Sequence, residues 1–235
     1  MIEAINLGKC YGRVWVLEDI NLKIQRGDIF VLLGNNGSGK TSLLNQFGMI
    51  SKPSKGEIFL DGKKMRECLD KGLGMVPHNP FLYFSLTIRE NLDFSSSLYG
   101  LEKKIKKTRI DELSSMFELI DFLDRPVRLL SEGLVKRVSI VKSIIHDPEI
   151  ILMDEPFVSL DGKFSEKLMG ILKGGIDLEC LDRGPEDRFF IFSTHYIEHA
   201  SDIGNKIGIL DRGKLIKLGD LNGLSSEDIY KLMNG

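Results

Sequence analysis

Residues 34–41 read GNNGSGKT, and they lie between a short apolar run, residues 30–33, and a stretch that favours a helix, residues 41–47. They match GxxxxGK[ST], the Walker A pattern, in which glycines let backbone N–H groups turn inward around phosphate oxygens. The N-terminus of the following helix adds roughly half a positive charge. A glycine-rich turn with an incidental lysine is the alternative, but the strand before the loop and the helix after it favour a phosphate site.

Two side chains of this loop carry its chemistry. Lys40 supplies a cation to the β and γ phosphates of a nucleotide, and the hydroxyl of Thr41 is a candidate Mg²⁺ ligand. The whole set of residues predicted to hold the nucleotide here is Asn35, Asn36, Gly37, Ser38, Gly39, Lys40, Thr41 and Ser42.

Three further apolar runs are similar to the one before the loop: residues 74–76, 150–153 and 189–192. All of these runs are short and do not alternate with polar residues, as expected of strands buried on both faces of a parallel sheet. Each run is followed by polar residues, and ligands bind outside the carboxyl ends of such strands. We therefore predict that these strand ends converge on one site.

Asp154 and Glu155 directly follow the run at residues 150–153. A carboxylate at the end of a buried strand is the Walker B arrangement, so Asp154 is predicted to hold Mg²⁺ from the side opposite Thr41. The adjacent Glu155 points elsewhere and is the candidate general base that activates a water molecule for nucleotide hydrolysis. Two solvated acids at a strand end are the alternative.

The sequence between the second and third runs predicts three helices. The first is capped by Thr87 and reaches residue 97, the second runs from Thr108 to Ile120, and the third runs from Ser131 and stops before Pro148. Residues 2–7, 22–25 and 206–218 are typical of strands, the last with a hairpin turn at residues 212–213, and residues 220–235 predict a short helical tail. The expected fold is α/β, with a mostly parallel sheet, an N-terminal antiparallel β region and an inserted helical subdomain.

The composition limits the class of protein. The chain has 235 residues, of which 42% are hydrophobic, and a formal net charge of −2, which favours one compact domain and excludes extended disorder. Because Lys plus Arg (32) nearly balances Asp plus Glu (34), no nucleic-acid partner is expected. The three cysteines are widely spaced, which fits a reduced compartment. Neither a signal peptide nor an apolar run of about 18 residues, as a membrane span needs, is recognisable.

With these motifs in this order, the chain resembles the ATP-binding cassette (ABC) family, the nucleotide-binding subunits of ABC transporters, over nearly its whole length. LSEGL at residues 130–134 occupies the place of the family signature, usually LSGGQ. Tyr11 resembles the aromatic residue that stacks on adenine, residues 159–161 (SLD) resemble the D-loop, and His195 resembles the switch histidine. Taken singly, Tyr11 also fits an edge-strand aromatic and His195 a structural histidine.

The resemblance implies a P-loop NTPase with a RecA-like core that binds ATP and Mg²⁺. It also implies that two cassettes close head to tail, with Ser131 and Gly133 of each copy reaching the ATP of the other. Asp161 would align the partner's site, and His195 would bind the γ phosphate. The implied partners are a second ABC subunit and a membrane permease, which would place the chain in the cytoplasm against the membrane.

Domain limits and a subgroup follow from the same resemblance. We expect one nucleotide-binding domain over residues 1–235, with a core at residues 1–80 and 146–218, a helical subdomain at residues 81–145 and a tail at residues 219–235. Residues 86–101 and 211–224 are similar to the exporter-type bacterial branch, which predicts outward transport.

Two motif positions depart from the family. His78 stands where a glutamine normally senses Mg²⁺ and the attacking water; a neutral imidazole can accept a hydrogen bond or bind a metal, so His78 is a candidate for both catalysis and metal ligation. A protonated imidazole would repel Mg²⁺, which predicts slower turnover in acid. Glu132 and Leu134 replace a glycine and the glutamine of the signature. Tolerated variation and a slow, degenerate site are both compatible with these changes.

Other functions remain open at this point. A regulatory subunit that binds ATP with weak hydrolysis and pairs with a better-formed cassette would fit His78 and Glu132. A soluble ABC protein that acts on ribosomes or DNA is a further alternative, although such proteins usually carry two cassettes or a long coiled-coil insert. The polar stretch at residues 174–186 has no functional interpretation from the sequence.

Overall fold

The structure is a computed structural model, and it describes residues 1–68, 72–174, 180–221 and 226–234. Four strands form an N-terminal antiparallel sheet in the order β2-β1-β4-β5. These strands are β1 (Ile2–Tyr11), β2 (Val14–Ile24), β4 (Lys55–Leu60) and β5 (Lys63–Lys64). The first two are longer than the sequence pattern predicts, since buried and exposed residues do not alternate regularly in the added parts, residues 8–11 and 14–21.

The second sheet contains the strands predicted from the apolar runs. Its six strands lie in the order β10-β9-β3-β8-β7-β6. They are β3 (Ile29–Leu33), β6 (Leu73–Val76), β7 (Ile150–Asp154), β8 (Phe189–Thr194), β9 (Lys206–Asp211) and β10 (Lys214–Asp220). Every pair except β9–β10 is parallel, and all residues of β7 and β8 are buried. The mostly parallel, doubly covered sheet is therefore confirmed.

Side chains of β3 alternate between two hydrophobic clusters, one on each face of this sheet. Phe30 and Leu32 pack with the antiparallel sheet and with α1 (Lys40–Phe47). Val31 and Leu33 belong to the opposite cluster, which includes residues of α4 (Glu132–Ile144), α5 (Gly162–Lys173) and α6 (Ile197–Ile203) among other helices. Burial on both faces holds the carboxyl ends of the strands, and the loops that follow them, in a fixed arrangement.

The region inserted between β6 and β7 is helical, as predicted. It contains α2 (Ile88–Leu98), α3 (Lys103–Met116) and α4, with short 3₁₀ turns between them. Thr87 caps α2 with a full capping box involving Glu90, and Ser131 caps α4 by accepting a hydrogen bond from Leu134 N–H. Both predicted helix starts are confirmed.

The predicted start of α3 at Thr108 is wrong. The helix begins at Lys103, after Glu102, and it ends at Met116 rather than at Ile120. Thr108 lies inside it, and its hydroxyl donates a hydrogen bond to the Lys104 carbonyl at 3.3 Å. A threonine can satisfy its hydroxyl on the preceding turn as well as cap a helix, so its presence alone does not mark a helix start.

The C-terminal part follows the sequence pattern where it is described. Arg212 and Gly213, with φ of 43° and 81°, form the tight turn of the β9–β10 hairpin. The last helix is α7 (Ser226–Asn234). Parts of the predicted tail and of the 174–186 stretch, namely residues 222–225, 235 and 175–179, lie outside the described residues. Among the helices that the structure describes, none has the length and apolar character needed to cross a membrane.

Candidate nucleotide-binding site

The loop at residues 34–41 connects the end of β3 to the start of α1. Gly37 and Gly39 have φ of 79° and 110°, a region that side chains other than glycine rarely adopt. A Cβ on Gly39 would also lie 2.9 Å from both Leu17 Cδ2 and the Val16 carbonyl oxygen. Gly39 is therefore required both by its backbone angle and by close packing, whereas a Cβ on Gly37 would meet no atom within 4 Å.

Lys40 is the first residue of α1, and its side chain folds back over the loop. It is only 6% exposed, and its Nζ donates hydrogen bonds to the carbonyls of Gly34 at 2.8 Å and Asn35 at 3.2 Å. The same Nζ lies 3.4 Å from Glu155 Oε1. The ammonium thus lies between the loop backbone and the acidic residue that follows β7, which is where a nucleotide phosphate would need it.

Asp154 ends β7 with both carboxylate oxygens paired. Thr41 Oγ1 donates to Oδ2 at 2.7 Å, and Ser193 Oγ donates to Oδ1 at 2.6 Å. Ser193 lies directly opposite Asp154 in the parallel pair of β7 and β8. Two strand ends and one helix start thus bring Asp154 and Thr41, both predicted as Mg²⁺ ligands, into direct contact rather than to opposite sides.

Glu155 points away from Asp154, into the space beside Lys40. Its φ is 47°, so the chain turns sharply after the strand. Both of its carboxylate oxygens lie 3.1 Å from His195 Nδ1, and its N–H donates to Ser193 Oγ at 3.0 Å. The structure therefore brings Lys40, Glu155 and His195 into one cluster at the carboxyl ends of β3, β7 and β8.

A cleft of about 420 Å³ lies over this cluster, a volume suited to a small ligand. It joins the phosphate loop to Glu155 and to His78, the residue that departs from the family pattern. The lining residues are Val16, Asn36, Gly37, Gly39, Lys40, Thr41, Ser42, His78, Asn79 and Glu155. Val16 and Asn79 were not singled out from the sequence, since neither belongs to a chemical motif.

The donor set at the base of the cleft fits Mg²⁺. A hydroxyl and a carboxylate are hard oxygen ligands, and Mg²⁺ is commonly held by one or two such groups together with substrate phosphates. Thr41 and Asp154 supply those oxygens side by side. Ser38 Oγ is buried and has no hydrogen-bond partner in the described residues, as expected of a polar atom placed for a bound group. No cluster of three or more His, Cys, Asp or Glu residues that could hold a metal by itself occurs in the described part of the chain.

Eight predicted site residues are not among those that line this cleft. Asn35 and Ser38 belong to the phosphate loop, Asp154 is hydrogen-bonded to Thr41, and His195 to Glu155; the other four are Tyr11, Ser131, Gly133 and Asp161. Tyr11 is 49% exposed at the end of β1, with Lys9 Nζ 5.0 Å from its ring centre. Ser131 is exposed at the start of α4, and a Cβ on Gly133 would lie 2.8 Å from the Ser159 carbonyl oxygen. Asp161 caps α5; the hydrogen bond from Phe164 N–H, with a smaller effect of Arg137, lowers the pKa of its carboxyl. Ser131 and Asp161 are both exposed, and neither lines the cleft of its own chain.

Ser193 is the site residue that the sequence did not reveal. It donates to Asp154 and accepts from the backbone of Glu155, so one hydroxyl orients both acids. Its only signal in the sequence is its position at the end of an apolar run, before Thr194 and His195. A serine there is unremarkable until the pairing of β7 with β8 is known.

Comparison with known proteins places this geometry in a family. The sequence profile of the family described as ABC transporter matches residues 17–158. The probable sulfate/thiosulfate import ATP-binding protein CysA of Chlorella vulgaris is 32% identical over 222 residues, which cover 94% of this chain and 91% of that protein. The maltose/maltodextrin import ATP-binding protein MalK of Escherichia coli (strain K12) is 30% identical over 220 residues, 93% of this chain but 57% of MalK.

A solved structure agrees with the sequence comparison. The dimeric structure of an ATP-binding cassette in a post-hydrolysis state, bound to ADP and Pi, superimposes with a TM-score of 0.83 at 28% identity. The match covers 95% of this chain and all of that one. The profile includes the phosphate loop, the signature segment and both acids after β7. The chain therefore belongs to the ABC transporter family, as an ATP-binding cassette with the P-loop NTPase fold and ATPase activity.

Proposed function

We propose that this chain hydrolyses Mg-ATP in the cleft above β3, β7 and β8 and drives a separate membrane permease. The observation that carries the proposal is the cluster of Lys40, Glu155 and His195 beside the Thr41–Asp154 pair. Lys40 would bind the β and γ phosphates, and Thr41 and Asp154 would hold Mg²⁺. The metal ion supplies positive charge to the phosphoryl oxygens as charge develops there.

Glu155 is the residue that would act on water. Its carboxylate lines the cleft and is held by two groups, Lys40 Nζ and His195 Nδ1. A carboxylate so placed can accept a proton from a water molecule that attacks the γ phosphorus. His195, which contacts Glu155 on one side, would hydrogen-bond the γ phosphate with its other ring nitrogen, and His78 would contact the metal or the water from the opposite wall.

A second subunit would complete each site. Ser131 and Gly133 lie at the N-terminus of α4, where backbone N–H groups attract anions, and Ser131 is exposed. In a head-to-tail dimer this helix start would reach the γ phosphate bound by the partner, with Asp161 aligning the interface and Tyr11 stacking on adenine. Two Mg-ATP would then be enclosed between two copies of this chain or between this chain and a related cassette.

Family membership and the relatives support a permease partner. CysA and MalK are named as ATP-binding proteins of import systems. We propose a cytoplasmic position against the membrane, with residues 1–80 and 146–218 as the ATP-binding core and residues 81–145 as the helical subdomain. The expectation of export finds no support in these import relatives, so we assign no direction.

The second candidate is a regulatory subunit with weak hydrolysis. The specific observation in its favour is that His78 lines the cleft where the family has glutamine, while Glu132 carries a negative charge on the first turn of α4. Both replacements affect the surroundings of the γ phosphate rather than the binding of the nucleotide. The two candidates therefore differ in turnover and not in ATP affinity.

The Glu155→Gln variant tests the proposal. Glutamine keeps the size of the side chain but cannot accept the proton, so we expect steady-state ATP hydrolysis to fall by about 100-fold or more while Mg-ATP binding is retained. Trapped ATP should also shift the variant from monomer to dimer in light scattering. Glu149→Gln, at the opposite end of β7 and paired with Arg26, is the matched control and should hydrolyse ATP at the wild-type rate.

Two outcomes would contradict the proposal. If Glu155→Gln hydrolyses ATP as fast as the wild type, Glu155 is not the general base. If the wild type binds Mg-ATP but hydrolyses it no faster than a protein-free sample does, the regulatory subunit is the correct description.

A further inference from the structure

The loop that begins with Glu155 holds its shape at a conformational cost. Glu155 and Ser159 have φ of 47° and 70°, in the left-handed region where residues with a Cβ are strained. Such angles persist only where surrounding contacts determine them. The position of the Glu155 carboxylate therefore depends on groups outside the loop.

The contacts to the backbone of Glu155 come from two sides. Its N–H donates to Ser193 Oγ, which belongs to β8. Its carbonyl accepts a hydrogen bond from the Nζ of Lys136, a residue of α4, at 3.3 Å, and another from Val158 N–H at the same distance. Lys136 is therefore the side chain that reaches Glu155 from α4, the signature helix, which begins within the signature segment at residues 130–134.

The surroundings of Lys136 suit a fixed ammonium. The residue is half-buried, and burial lowers the pKa of its amine, while Asp154 and Glu155 act in the opposite direction. It lines a second cavity, of about 490 Å³, which also touches His78, Glu132 and Ser159. The Lys136 ammonium donates one hydrogen bond to a carbonyl, and the nearby carboxylates of Asp154 and Glu155 also stabilise its positive charge.

Two further contacts tie the same end of α4 to the same loop. Glu132 accepts a hydrogen bond from Ser159 Oγ at 3.1 Å, and Arg137 lies 2.9 Å from Asp161 Oδ2. Gly133 packs so closely on the Ser159 carbonyl that a Cβ would lie 2.8 Å from its oxygen. The first two turns of α4 therefore hold the loop at its start, Glu155, and further along at Ser159 and Asp161. Lys136 makes the contact at Glu155, next to the hydrolysis site.

We propose that Lys136 is a positioning residue for hydrolysis, which fixes the backbone of Glu155 and so the direction of its carboxylate within the same chain. This inference rests on the proposed role of Glu155. It also gives the signature helix two roles: its N-terminus would face the partner's nucleotide, and its second turn orients the general base of its own site. A displacement of α4 would change the position of Glu155 directly.

The test compares three variants of the full chain. Lys136→Met keeps the length of the side chain but removes the donor, so we expect kcat for ATP hydrolysis to fall about tenfold or more, with KM for ATP within about twofold of wild type. Lys136→Arg keeps a cationic donor and should recover at least half of the wild-type kcat. Lys142→Met is the matched control on the same helix: Lys142 is also half-buried, burial lowers its pKa, and it donates to the Phe81 carbonyl.

The kcat values of these variants distinguish a failure of the inference from a failure of the proposed function. If Glu155→Gln is inactive but Lys136→Met keeps wild-type kcat, the positioning role is wrong and the proposed function stands. A loss of kcat in Lys136→Met that Lys136→Arg fails to recover, or that Lys142→Met shares to the same extent, also overturns the inference because it reports general damage to α4. If Lys136→Met does not fold, Lys136→Gln takes its place, since glutamine keeps a shorter neutral donor. Its kcat is then compared with that of Lys136→Arg in the same way.

Discussion

His78 is the residue at which this cassette departs most clearly from its family. It lies in the wall of the nucleotide cleft together with Asn79, and it shares that cleft with Lys40, Thr41 and Glu155. Glutamine at this position presents an amide donor and a carbonyl acceptor, whereas an imidazole presents two ring nitrogens in a different geometry. The residue at position 78 is therefore expected to affect how the attacking water is held.

We predict that His78→Gln changes kcat for ATP hydrolysis by about twofold or more, with KM for Mg-ATP within about twofold of wild type, because the two side chains offer different hydrogen-bonding groups to the attacking water. The measurement is kcat and KM for Mg-ATP of both proteins at one pH, with folding checked by circular dichroism. Equal kcat in the two proteins would show that His78 takes no part in turnover.

At the scale of elements, His146 joins three parts of the chain just beyond α4. Its ring stacks on Tyr99, at the end of α2, with centroids 3.6 Å apart and planes at 5°. Its Nε2 lies 3.0 Å from the carbonyl of Leu73, at the start of β6. Burial lowers the pKa of His146 to about 4, although the Leu73 carbonyl and Asp147 oppose this effect. In the folded chain, His146 is therefore neutral near pH 7.

This pKa predicts a loss of stability in acid. Because the pKa is about 4 in the folded chain and about 6.5 in the unfolded chain, only the unfolded state binds the proton between these values. The contribution of His146 to stability is therefore complete above about pH 6.5 and falls by about 2 kcal/mol between pH 7 and pH 5. Urea unfolding of wild type and His146→Phe should show this difference, since phenylalanine keeps the stacking but does not titrate. Equal pH dependence in the two proteins would contradict the assignment.

Other element-scale features are independent of the site. Asp147 and Arg188 form an ion pair that is almost fully buried, and Arg188 also donates to the Pro148 carbonyl. Arg109 of α3 donates to the Cys180 and Ile145 carbonyls, so the residues that precede β8 are held against the helical region. The polar stretch at residues 174–186, where it is described, thus has anchoring contacts that its composition did not suggest.

At the scale of the whole molecule, the cleft depends on both hydrophobic clusters. The loop between β3 and α1 belongs to the side of the antiparallel sheet, while α4 and the loop after Glu155 belong to the other side. Mg-ATP would contact residues supported by both clusters. Its binding should therefore stabilise the chain as one unit.

We predict that Mg-ATP at about 100 times its Kd raises the free energy of unfolding by about 2.7 kcal/mol, because it binds only the folded state. For a chain of this size the rise in Tm should be about 5–11 °C. Differential scanning fluorimetry of Glu155→Gln, which binds without hydrolysis, gives the measurement. Adding Lys40→Met to that variant should abolish the shift, since the methionine cannot bind phosphate. A shift that survives this change would place the nucleotide elsewhere.

Much of this protein is recognisable from local pattern. The phosphate loop, the paired acids after a buried strand and the caps Thr87 and Ser131 are predicted because each depends on a few neighbouring residues whose backbone needs are specific. The parallel sheet is predicted because strands buried on both faces are apolar throughout. The start of α3 is not predicted correctly, because the Thr108 hydroxyl donates a hydrogen bond within the helix instead of capping it.

Contacts between distant residues belong to the tertiary structure alone. Ser193 meets Asp154 only through the pairing of β7 with β8, and Lys136 meets Glu155 only because α4 packs against β6, the neighbour of β7 in the sheet. Neither residue belongs to a chemical motif, so the sequence does not identify either of them as a site residue. Local sequence determines which side chains can bind phosphate and metal, because backbone angles and strand ends are local properties. The packing of the sheet and the signature helix decides which residues hold these binding side chains in place. Hydrogen bonds act over about 3 Å, and only folding brings residues from distant parts of the chain so close together.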